Sequence, residues 1–554
     1  MRKWLFLLAL CALGSSAFVV GVVTHRMSDG TVLAFKRHQA MRRAGTTPTK
    51  PWDADKVYRV PVILFSFADC DFRCEDPKLF YDRMFNEQGY NLGKGPGCIA
   101  DYFRDQSNGL FNIRFDILGP VKLSSNQKAG SGYHSGWTQI SEAINAVDQE
   151  VDFADYDWYG EGIVQTVIII YAGYGGNEVA EVAQGCIWPN TGSFYRSLDG
   201  VRINYYSASA ELWSNNVSCG IGTICHEYCH TFDLPDFYPT YGDEYSVLDE
   251  WDLMDGGCYA GDGWCPVNLS SHERELMKWQ SPTDLTVSTQ ITEMPPFDQG
   301  GVAYRVVNDD YPSEYYLLEN RQQTGWDLML PGHGLLVSHV DYSESSWIAN
   351  SVNNTPSHHR YEYFHADGLD FNYYESLYGR KNRYAADGRS IRLQHTAYPY
   401  TDSLGVVHDA LTDTTTPAAT LFHARADGSL FMGKPITQIQ ETDGLISFHF
   451  SDTPDAIVPL PADNVPVAIY DLQGNLLPLT IPEQSSPTRS LSHLSPLEWS
   501  IPHATRGRDG RQESRERGYY HLHRNLNNPL LHNFRCFFLT TNYANFTNFF
   551  SAHK

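Results

Sequence analysis

The 554-residue sequence lacks a second long apolar run: beyond the N-terminal segment, no stretch of 18 or more apolar residues occurs. A transmembrane helix requires about 20 predominantly apolar residues, so we expect no membrane-spanning segment in the mature chain. Positive charge is also scarce, because 41 Lys and Arg face 65 Asp and Glu, a formal net charge of −24. This balance argues against nucleic acid or an anionic membrane as the main partner. It is compatible with bound Ca²⁺ without demanding it.

The N-terminus predicts export. Arg2 and Lys3 precede a short apolar run from Trp4 to Leu13, and small residues follow at 15–17. This is the pattern of a signal peptide over residues 1–17. Eleven cysteines are present, and ten remain after removal of that segment. Exported chains commonly carry disulfide bonds, so we expect them here. Cys70 with Cys74 and Cys258 with Cys265 are local candidates, although the sequence does not fix the pairing.

Between the predicted signal peptide and residue 282, the sequence changes from a polar segment to segments whose patterns predict strands and helices. Residues 18–55 are polar and basic and are interpreted as a propeptide or linker. Continuous apolar runs predict buried strands at 60–67 and 162–172, and an amphipathic pattern predicts a helix at 137–151. The alternation up to about residue 282 favours an α/β or α+β unit over 56–282.

The C-terminal half has a different pattern. Short alternating runs over 283–452, separated by turn residues, favour a β-sandwich-like or extended β region. A Pro-rich linker at 453–466 follows. Residues 467–476 begin a further small β module, and the tail beyond about 485 shows no strand periodicity. We assign no chemistry to that tail.

One helix carries the candidate chemistry. Residues 222–236 read Gly-Thr-Ile-Cys-His-Glu-Tyr-Cys-His-Thr-Phe-Asp-Leu-Pro-Asp. His226 and His230 are four residues apart, so on a helix both imidazoles project from one face and can share a metal ion. Two imidazoles suit Zn²⁺ and leave room for a third ligand and a water. Glu227, beside the first ligand, can accept a proton from that water.

Two further features strengthen this prediction. Asp236 lies six residues after His230, just past Pro235, where a third ligand is expected in the extended pattern. The alternative is an ordinary carboxylate in the loop after the helix. Trp-Asp-Leu-Met-Asp-Gly-Gly at 251–257 follows at the spacing of a Met-turn, in which Met254 would pack beneath the metal.

These segments resemble the M6 (immune-inhibitor-A-like) metallopeptidases, especially secreted bacterial members. Further similar blocks over about 57–452 are Asp101 to Gly109, Phe115 to Val121, Tyr171 to Gly175, Ile187 to Pro189, Pro331 to Leu336 and His339 to Tyr342. The resemblance implies a zinc endopeptidase with ligands His226, His230 and Asp236 and with Glu227 as base. It also implies an α+β fold, in which a metzincin-like zinc peptidase domain (56–282) precedes a β-sandwich-like domain (283–452).

The sequence departs from the family pattern at several positions. Asp233 occupies a position usually held by Gly, and Asp tolerates the left-handed turn expected there. Cys225 and Cys229 flank the ligands on the helix; thiolates bind zinc, but core packing or disulfide bonding is the preferred interpretation, because the helix rotates them about 100° from the histidine face. His333 and His339 could mimic a metal pair, but they lie in strand-like sequence and are interpreted as structural.

A calcium site is an even alternative to a solvated acidic turn around Asp155, Asp157 and Glu161. Relatives carry an Asp/Asn-rich loop there, but Tyr159 and Gln165 replace oxygen ligands in this sequence. A tyrosine near the Met-turn, Tyr245 or Tyr259, is a candidate to stabilise the oxyanion. The substrate is expected to lie along an edge strand within 201–208.

The predicted function is hydrolysis of protein substrates by a secreted, monomeric zinc endopeptidase that does not bind nucleic acid. Residues 467–476 resemble the start of a type IX secretion sorting module, which suggests that export route. Two alternatives remain: an inactive peptidase-fold surface protein or adhesin, and a zinc peptidase of narrow, glycoprotein-directed specificity.

Overall fold

The computed structural model describes residues 51–128, 134–177, 181–213, 215–241, 246–378 and 384–453, with three short strands beyond residue 467. The predicted signal peptide, most of the 18–55 segment and most of 454–554 lie outside the described residues. The chain forms two compact units, Met1–Asp455 and Ala456–Lys554. In the described part, no helix combines the length and apolarity that crossing a bilayer requires.

A five-stranded sheet with the order β2-β1-β3-β5-β4 organises the first part of the larger unit. β1, β2, β3 and β5 pair in parallel, and β4 pairs antiparallel with β5 at one edge. The strands are β1 (Tyr58–Ser66), β2 (Ile113–Lys122), β3 (Ile163–Tyr174), β4 (Asn190–Leu198) and β5 (Val201–Leu212). The apolar runs that predicted buried strands at 60–67 and 162–172 correspond to β1 and β3. A strand covered on both faces requires such a continuous run.

Helices cover both faces of this sheet. The helices are α1 (Pro77–Asn86), α2 (Ile99–Gln106), α3 (Trp137–Val147), α4 (Gly222–His230) and α5 (Ser271–Leu276). On one face, α3 packs Ile140 and Ile144 against Ile63 and Ile169 of the sheet. On the opposite face, α1, α2 and α4 pack in a second cluster with Val62. The mixed α and β content agrees with the predicted fold class at this coarser level.

The downstream region contains three further sheets, the smallest of which pairs β12 with β13. A five-stranded sheet has the order β11-β10-β9-β8-β6 and a three-stranded sheet has the order β14-β15-β7. The strands are β6 (Thr283–Asp284), β7 (Thr289–Met294), β8 (Tyr304–Val307), β9 (Glu314–Arg321), β10 (Gly334–Asp341), β11 (Tyr361–Tyr363), β12 (Tyr400–Thr401), β13 (Val407–His408), β14 (Ile436–Thr442) and β15 (Leu445–Phe450). Helices α6 (Glu344–Ile348) and α7 (Phe371–Tyr378) interrupt them.

The five-stranded and the three-stranded downstream sheets share one hydrophobic core. Leu318 and Val337 of the larger sheet pack with Ile446 and Phe448 of the smaller sheet. The opposite face of the larger sheet contributes to the core of the helix-covered region, where Leu317 and Leu336 join the cluster that contains α4. Burying each such side chain contributes about 1.5–3 kcal/mol, so the two regions stabilise each other across residue 283.

The smaller unit contains three described strands, β16 (Ala468–Tyr470), β17 (Leu476–Leu477) and β18 (His521–His523). They form an antiparallel sheet with the order β17-β16-β18. The first two lie in the segment predicted to begin a β module. The third lies in the tail, where the sequence showed no strand periodicity.

Candidate metal centre

The structure places the predicted ligand pair on α4, which is buried along almost its whole length. Its first residue is Gly222, and a Cβ there would overlap the carbonyl oxygen of Cys258, so glycine permits the close approach. The helix ends at His230, and Asp233 adopts a left-handed φ of 66°. The expectation that Asp serves at this position is therefore met, because the chain reverses there without a glycine.

The two imidazoles of α4 have defined tautomers. His226 Nδ1 lies 2.9 Å from the carbonyl oxygen of Leu253, and His230 Nδ1 lies 2.8 Å from that of Leu234. A carbonyl oxygen only accepts hydrogen bonds, so each Nδ1 carries the proton. With the proton on Nδ1, the neutral form of each ring presents an unprotonated Nε2 on its other side, which is the atom that binds a metal ion.

Both Nε2 atoms face one carboxylate oxygen. Asp236 Oδ1 lies 3.1 Å from His226 Nε2 and 3.3 Å from His230 Nε2. Metal-binding atoms of His226, Glu227 and His230 also lie within 4.8 Å of one another, the only such group of three among the described residues. The structure thus brings together all four residues predicted for the centre.

The donor set fits a divalent ion. Three acceptor atoms that converge in a buried space repel one another unless they share a cation, which is either a set of protons or a metal ion. In a tetrahedral zinc site with bonds of about 2.0–2.1 Å, ligand atoms lie about 3.3 Å apart. The measured separations to Asp236 match that spacing, and Asp236 is only 1% exposed.

The electrostatics of the centre follow from burial and from these contacts. Burial lowers the pKa of His226 and of His230, but Asp236 outweighs it and the net pKa shift of each is upward. Burial raises the pKa of Asp236, whereas the two imidazoles lower it further, so this carboxyl stays ionised. Desolvation raises the pKa of Glu227 above its ordinary value, although the two histidines oppose the shift.

The predicted Met-turn supports the centre through its backbone. The Leu253 carbonyl orients His226, and the Met254 carbonyl accepts a hydrogen bond from the Phe237 N–H at 2.9 Å. Met254 is fully buried in the same cluster as α4. Cys225 and Cys229 are buried free thiols in that cluster, as the core-packing interpretation expected.

The structure does not support the expected disulfides. None of the nine cysteines among the described residues forms a disulfide bond. Cys258 Sγ instead lies 3.7 Å from the carbonyl oxygen of Asp255, and Cys265 Sγ lies 3.5 Å from the carbonyl oxygen of Trp326. Cys70 Sγ lies near the backbone of Asp71. These thiols face different neighbours, so neither predicted local pair is bonded.

The structure does not support the predicted calcium site. The carboxylate of Asp157 accepts backbone N–H groups of Tyr159, Glu161 and Gly162 at 2.7–3.2 Å, which is the role of a turn-capping residue. Asp155 pairs with Arg59 at 3.2 Å. The ligand atoms of Asp155, Asp157 and Glu161 are therefore not close enough together to form a group that could hold one metal ion.

The prediction that residues 201–208 form an edge strand is also wrong. Residues 201–208 belong to β5, which lies inside the sheet between β3 and β4. The edge strand next to β5 is β4, and β2 forms the other edge. On β4, Thr191 Oγ1 lies 2.6 Å from the Glu227 carbonyl oxygen and 3.2 Å from Glu227 Oε2. Neighbouring strands have similarly apolar sequences, so the sequence pattern did not show which of them lies at the edge of the sheet.

Several residues near the centre were not anticipated from the sequence. Tyr238 lies near Asp236, and its pKa is raised by burial and by the charges of Asp236 and Glu227. Asn350 binds Asp236 from the downstream region. Of the two tyrosines predicted to stabilise the oxyanion, Tyr259 lies close enough to Glu227 for that charge to raise its pKa. Tyr245 lies outside the described residues. In the sequence, the only feature that pointed to Tyr238 was its position two residues after the predicted ligand Asp236.

The two other histidines considered as metal ligands have structural partners. His339 Nε2 lies 2.8 Å from Glu314 Oε1, and His333 Nδ1 lies 2.9 Å from Glu441 Oε1. Neither belongs to the group of three at α4. Their interpretation as structural residues agrees with these contacts.

The comparisons with known proteins agree with the centre. Residues 68–283 match the family model described as immune inhibitor A peptidase M6, catalytic domain. This match includes every residue of the centre described on α4, the loop after it and the Met-turn. No curated protein matches the chain.

Proposed function

Because residues 68–283 form an M6 peptidase catalytic domain, we propose that this metallopeptidase is a zinc-dependent endopeptidase with His226, His230 and Asp236 as ligands. One observation carries the proposal: two Nδ1-protonated imidazoles direct their Nε2 atoms to one buried carboxylate oxygen, at 3.1 and 3.3 Å. Neutral imidazoles and a carboxylate are preferred Zn²⁺ ligands, and three protein ligands are typical of catalytic zinc sites.

Glu227 is the proposed general base. Zn²⁺ held by these ligands supplies a Lewis acid that polarises the scissile carbonyl and lowers the pKa of water. The Glu227 carboxylate accepts the proton of the attacking water and delivers it to the leaving amine. Its raised pKa suits both steps, because a base is most effective when its pKa approaches the working pH.

Thr191 positions this base relative to the sheet edge. Its hydroxyl contacts both the backbone oxygen and Oε2 of Glu227, so β4 and the base keep a fixed separation. β4 pairs with β5 on one side only. An extended peptide can add to such an edge through main-chain hydrogen bonds, which would bring its scissile bond to Glu227.

Tyr238 and Tyr259 are the described candidates for stabilising the oxyanion. Both hydroxyls are held neutral by burial and by nearby negative charge, since their pKa values are raised. A neutral phenol donates a hydrogen bond to developing negative charge.

Export and assembly complete the proposal. The 1–17 segment has the pattern of a signal peptide, and we propose that the enzyme acts outside the cytoplasm as a monomer on protein substrates. The −24 formal charge favours a protein substrate over nucleic acid.

The proposal is tested by casein hydrolysis with the purified full-length protein, with and without 1,10-phenanthroline, alongside zinc analysis. Chelator-sensitive cleavage with about one zinc per chain is the expected result. Bound zinc without hydrolysis of any unfolded protein would indicate an inactive or narrow-specificity relative. A protein that hydrolyses casein equally well without zinc would contradict the assigned centre.

A further inference from the structure

A clamp of two hydrogen bonds joins the proposed third ligand to the downstream region. Asn350 Oδ1 accepts the Asp236 backbone N–H at 2.7 Å, and Asn350 Nδ2 donates to Asp236 Oδ2 at 2.7 Å. The amide orientation is fixed by chemistry, because a backbone N–H only donates and a carboxylate only accepts. A flipped amide would place donor against donor and acceptor against acceptor.

The clamp holds the carboxylate by the oxygen that faces away from the histidines. Oδ1 of Asp236 faces the two Nε2 atoms, while Oδ2 binds Asn350. Asp236 and Asn350 are each only 1% exposed, so water cannot replace either bond cheaply. With both oxygens occupied, rotation about the Cβ–Cγ bond is restricted and Oδ1 stays directed at the imidazoles.

The backbone at position 350 restricts which residue can serve there. Asn350 follows α6 with a φ of 51°, in the left-handed region that favours Gly and Asn. Glycine would satisfy the backbone but could not bind Asp236. Asparagine alone satisfies the backbone and also offers both a donor and an acceptor.

Neighbouring residues anchor the same loop without touching the ligand. Asn354 Oδ1 accepts the Thr240 N–H at 2.7 Å, and Asn353 Nδ2 donates to the Phe237 carbonyl at 2.8 Å. These bonds fix the loop after Asp236, but only Asn350 contacts the carboxylate. They therefore provide matched controls within one segment.

We propose that Asn350 is a positioning residue for the metal centre, so that the centre is completed by a residue 67 positions beyond the matched M6 catalytic domain. The inference depends on the proposed function only in taking Asp236 as a ligand. Residues that orient metal ligands typically affect metal affinity by about 10–100-fold. The downstream β region thus does more than bury apolar surface, because it supplies part of the support of the ligand set.

The test measures Zn²⁺ dissociation constants by chelator competition in the full-length protein and in three variants. Asn350→Gly keeps the backbone conformation and removes the clamp. Asn350→Asp keeps the shape and the acceptor for the Asp236 N–H but replaces the Nδ2 donor with an acceptor. Asn354→Ala removes part-buried hydrogen bonds to Thr240 from the same loop.

We expect both Asn350 variants to bind zinc about 10–100-fold more weakly and Asn354→Ala to bind within about threefold of the parent protein. Metal-free unfolding temperatures report whether each variant is folded, and Asn350→Asp decides the matter if Asn350→Gly does not fold. Unchanged affinity in Asn350→Asp, or an equal loss in Asn354→Ala, would overturn the inference. Failure of the parent protein to bind zinc would instead overturn the proposed function.

Discussion

Two histidine–carboxylate clusters in the same chain have opposite chemical characters. At α4, two imidazoles converge on one oxygen of Asp236 with their Nδ1 atoms occupied by backbone carbonyls. In the downstream cluster, Asp341 contacts His358 and His423 through different oxygens, and Glu314 contacts His339. The composition of the two clusters is similar, so the residue types alone do not distinguish them.

The difference lies in how each carboxylate is compensated. Asp341 also pairs with the guanidinium of Arg360 at 2.5 Å, and Glu314 accepts the backbone N–H groups of Phe422 and His423 as well as contacting His339. The carboxylates of Asp341 and Glu314 therefore already accept hydrogen bonds from enough donors to balance their negative charge. The α4 centre instead opposes acceptors to acceptors, so a shared cation stabilises it. A metal centre is therefore recognised by its tautomers and by convergence on one point.

The largest expected effect comes from removing a ligand at α4. His230→Gln should lose bound zinc and reduce casein hydrolysis by at least about 10⁴-fold, because the metal contributes several kcal/mol to the transition state. His339→Gln is the matched change in the other cluster and should retain about one zinc per chain. Zinc analysis and hydrolysis of both variants check this; zinc loss in His339→Gln would contradict the distinction.

A second change separates metal binding from proton transfer. Glu227→Gln should retain zinc and lower turnover by about 10²–10⁴-fold, the usual contribution of a general base. The amide preserves the size of the side chain and its contact with Thr191 but cannot accept the proton. Metal content and hydrolysis measured on one preparation provide the check. Turnover close to the parent value would remove Glu227 from its assigned role.

A substitution in the downstream cluster should lower the stability of the protein and leave its zinc affinity unchanged. Glu314→Gln replaces one acceptor oxygen with an amide that faces buried donors, among them the Phe422 and His423 N–H groups. Leaving such a donor unpaired costs about 1–3 kcal/mol. Denaturant unfolding should show this loss in the metal-free protein, while the zinc dissociation constant stays unchanged. An altered zinc affinity would mean that the two clusters are coupled.

A smaller, pH-dependent effect concerns His272, which belongs to neither cluster. Its Nε2 accepts from Trp347 Nε1 at 3.1 Å and its Nδ1 lies 3.1 Å from the Tyr315 hydroxyl. Burial lowers its pKa from 6.5 to about 3, with a further contribution from Arg305. The unfolded chain therefore binds a proton that the folded chain excludes between these pH values.

The contribution of neutral His272 is fully present above pH 6.5 and is lost as the pH falls toward 3. Between pH 7.5 and 5.5 the free energy of unfolding should fall by about 1.4 kcal/mol from this group. His272→Gln removes that term. Urea titrations of both proteins at the two pH values measure the difference, and identical pH dependence would exclude the assigned role.

Much of the local structure could be predicted from the sequence. The apolar runs predicted β1 and β3, and the four-residue histidine spacing predicted the shared face of α4, because both patterns depend on neighbours in the chain. The disulfides, the possible calcium loop and the edge position of residues 201–208 are not supported by the structure. Each of those depends on which distant groups a side chain meets, as Cys258 meets His226 and Asp155 meets Arg59.

By itself, the sequence determined a buried helix with two histidines and a glutamate, followed by an aspartate and a turn in left-handed conformation. The periodicity of a helix and the conformational tolerance of single residues suffice for that. Only the tertiary structure decided that the Leu253 and Leu234 carbonyls fix the tautomers and that Asn350 holds Asp236. Asp236 and Asn350 are separated by 114 positions in the chain, and no local pattern encodes a contact between them.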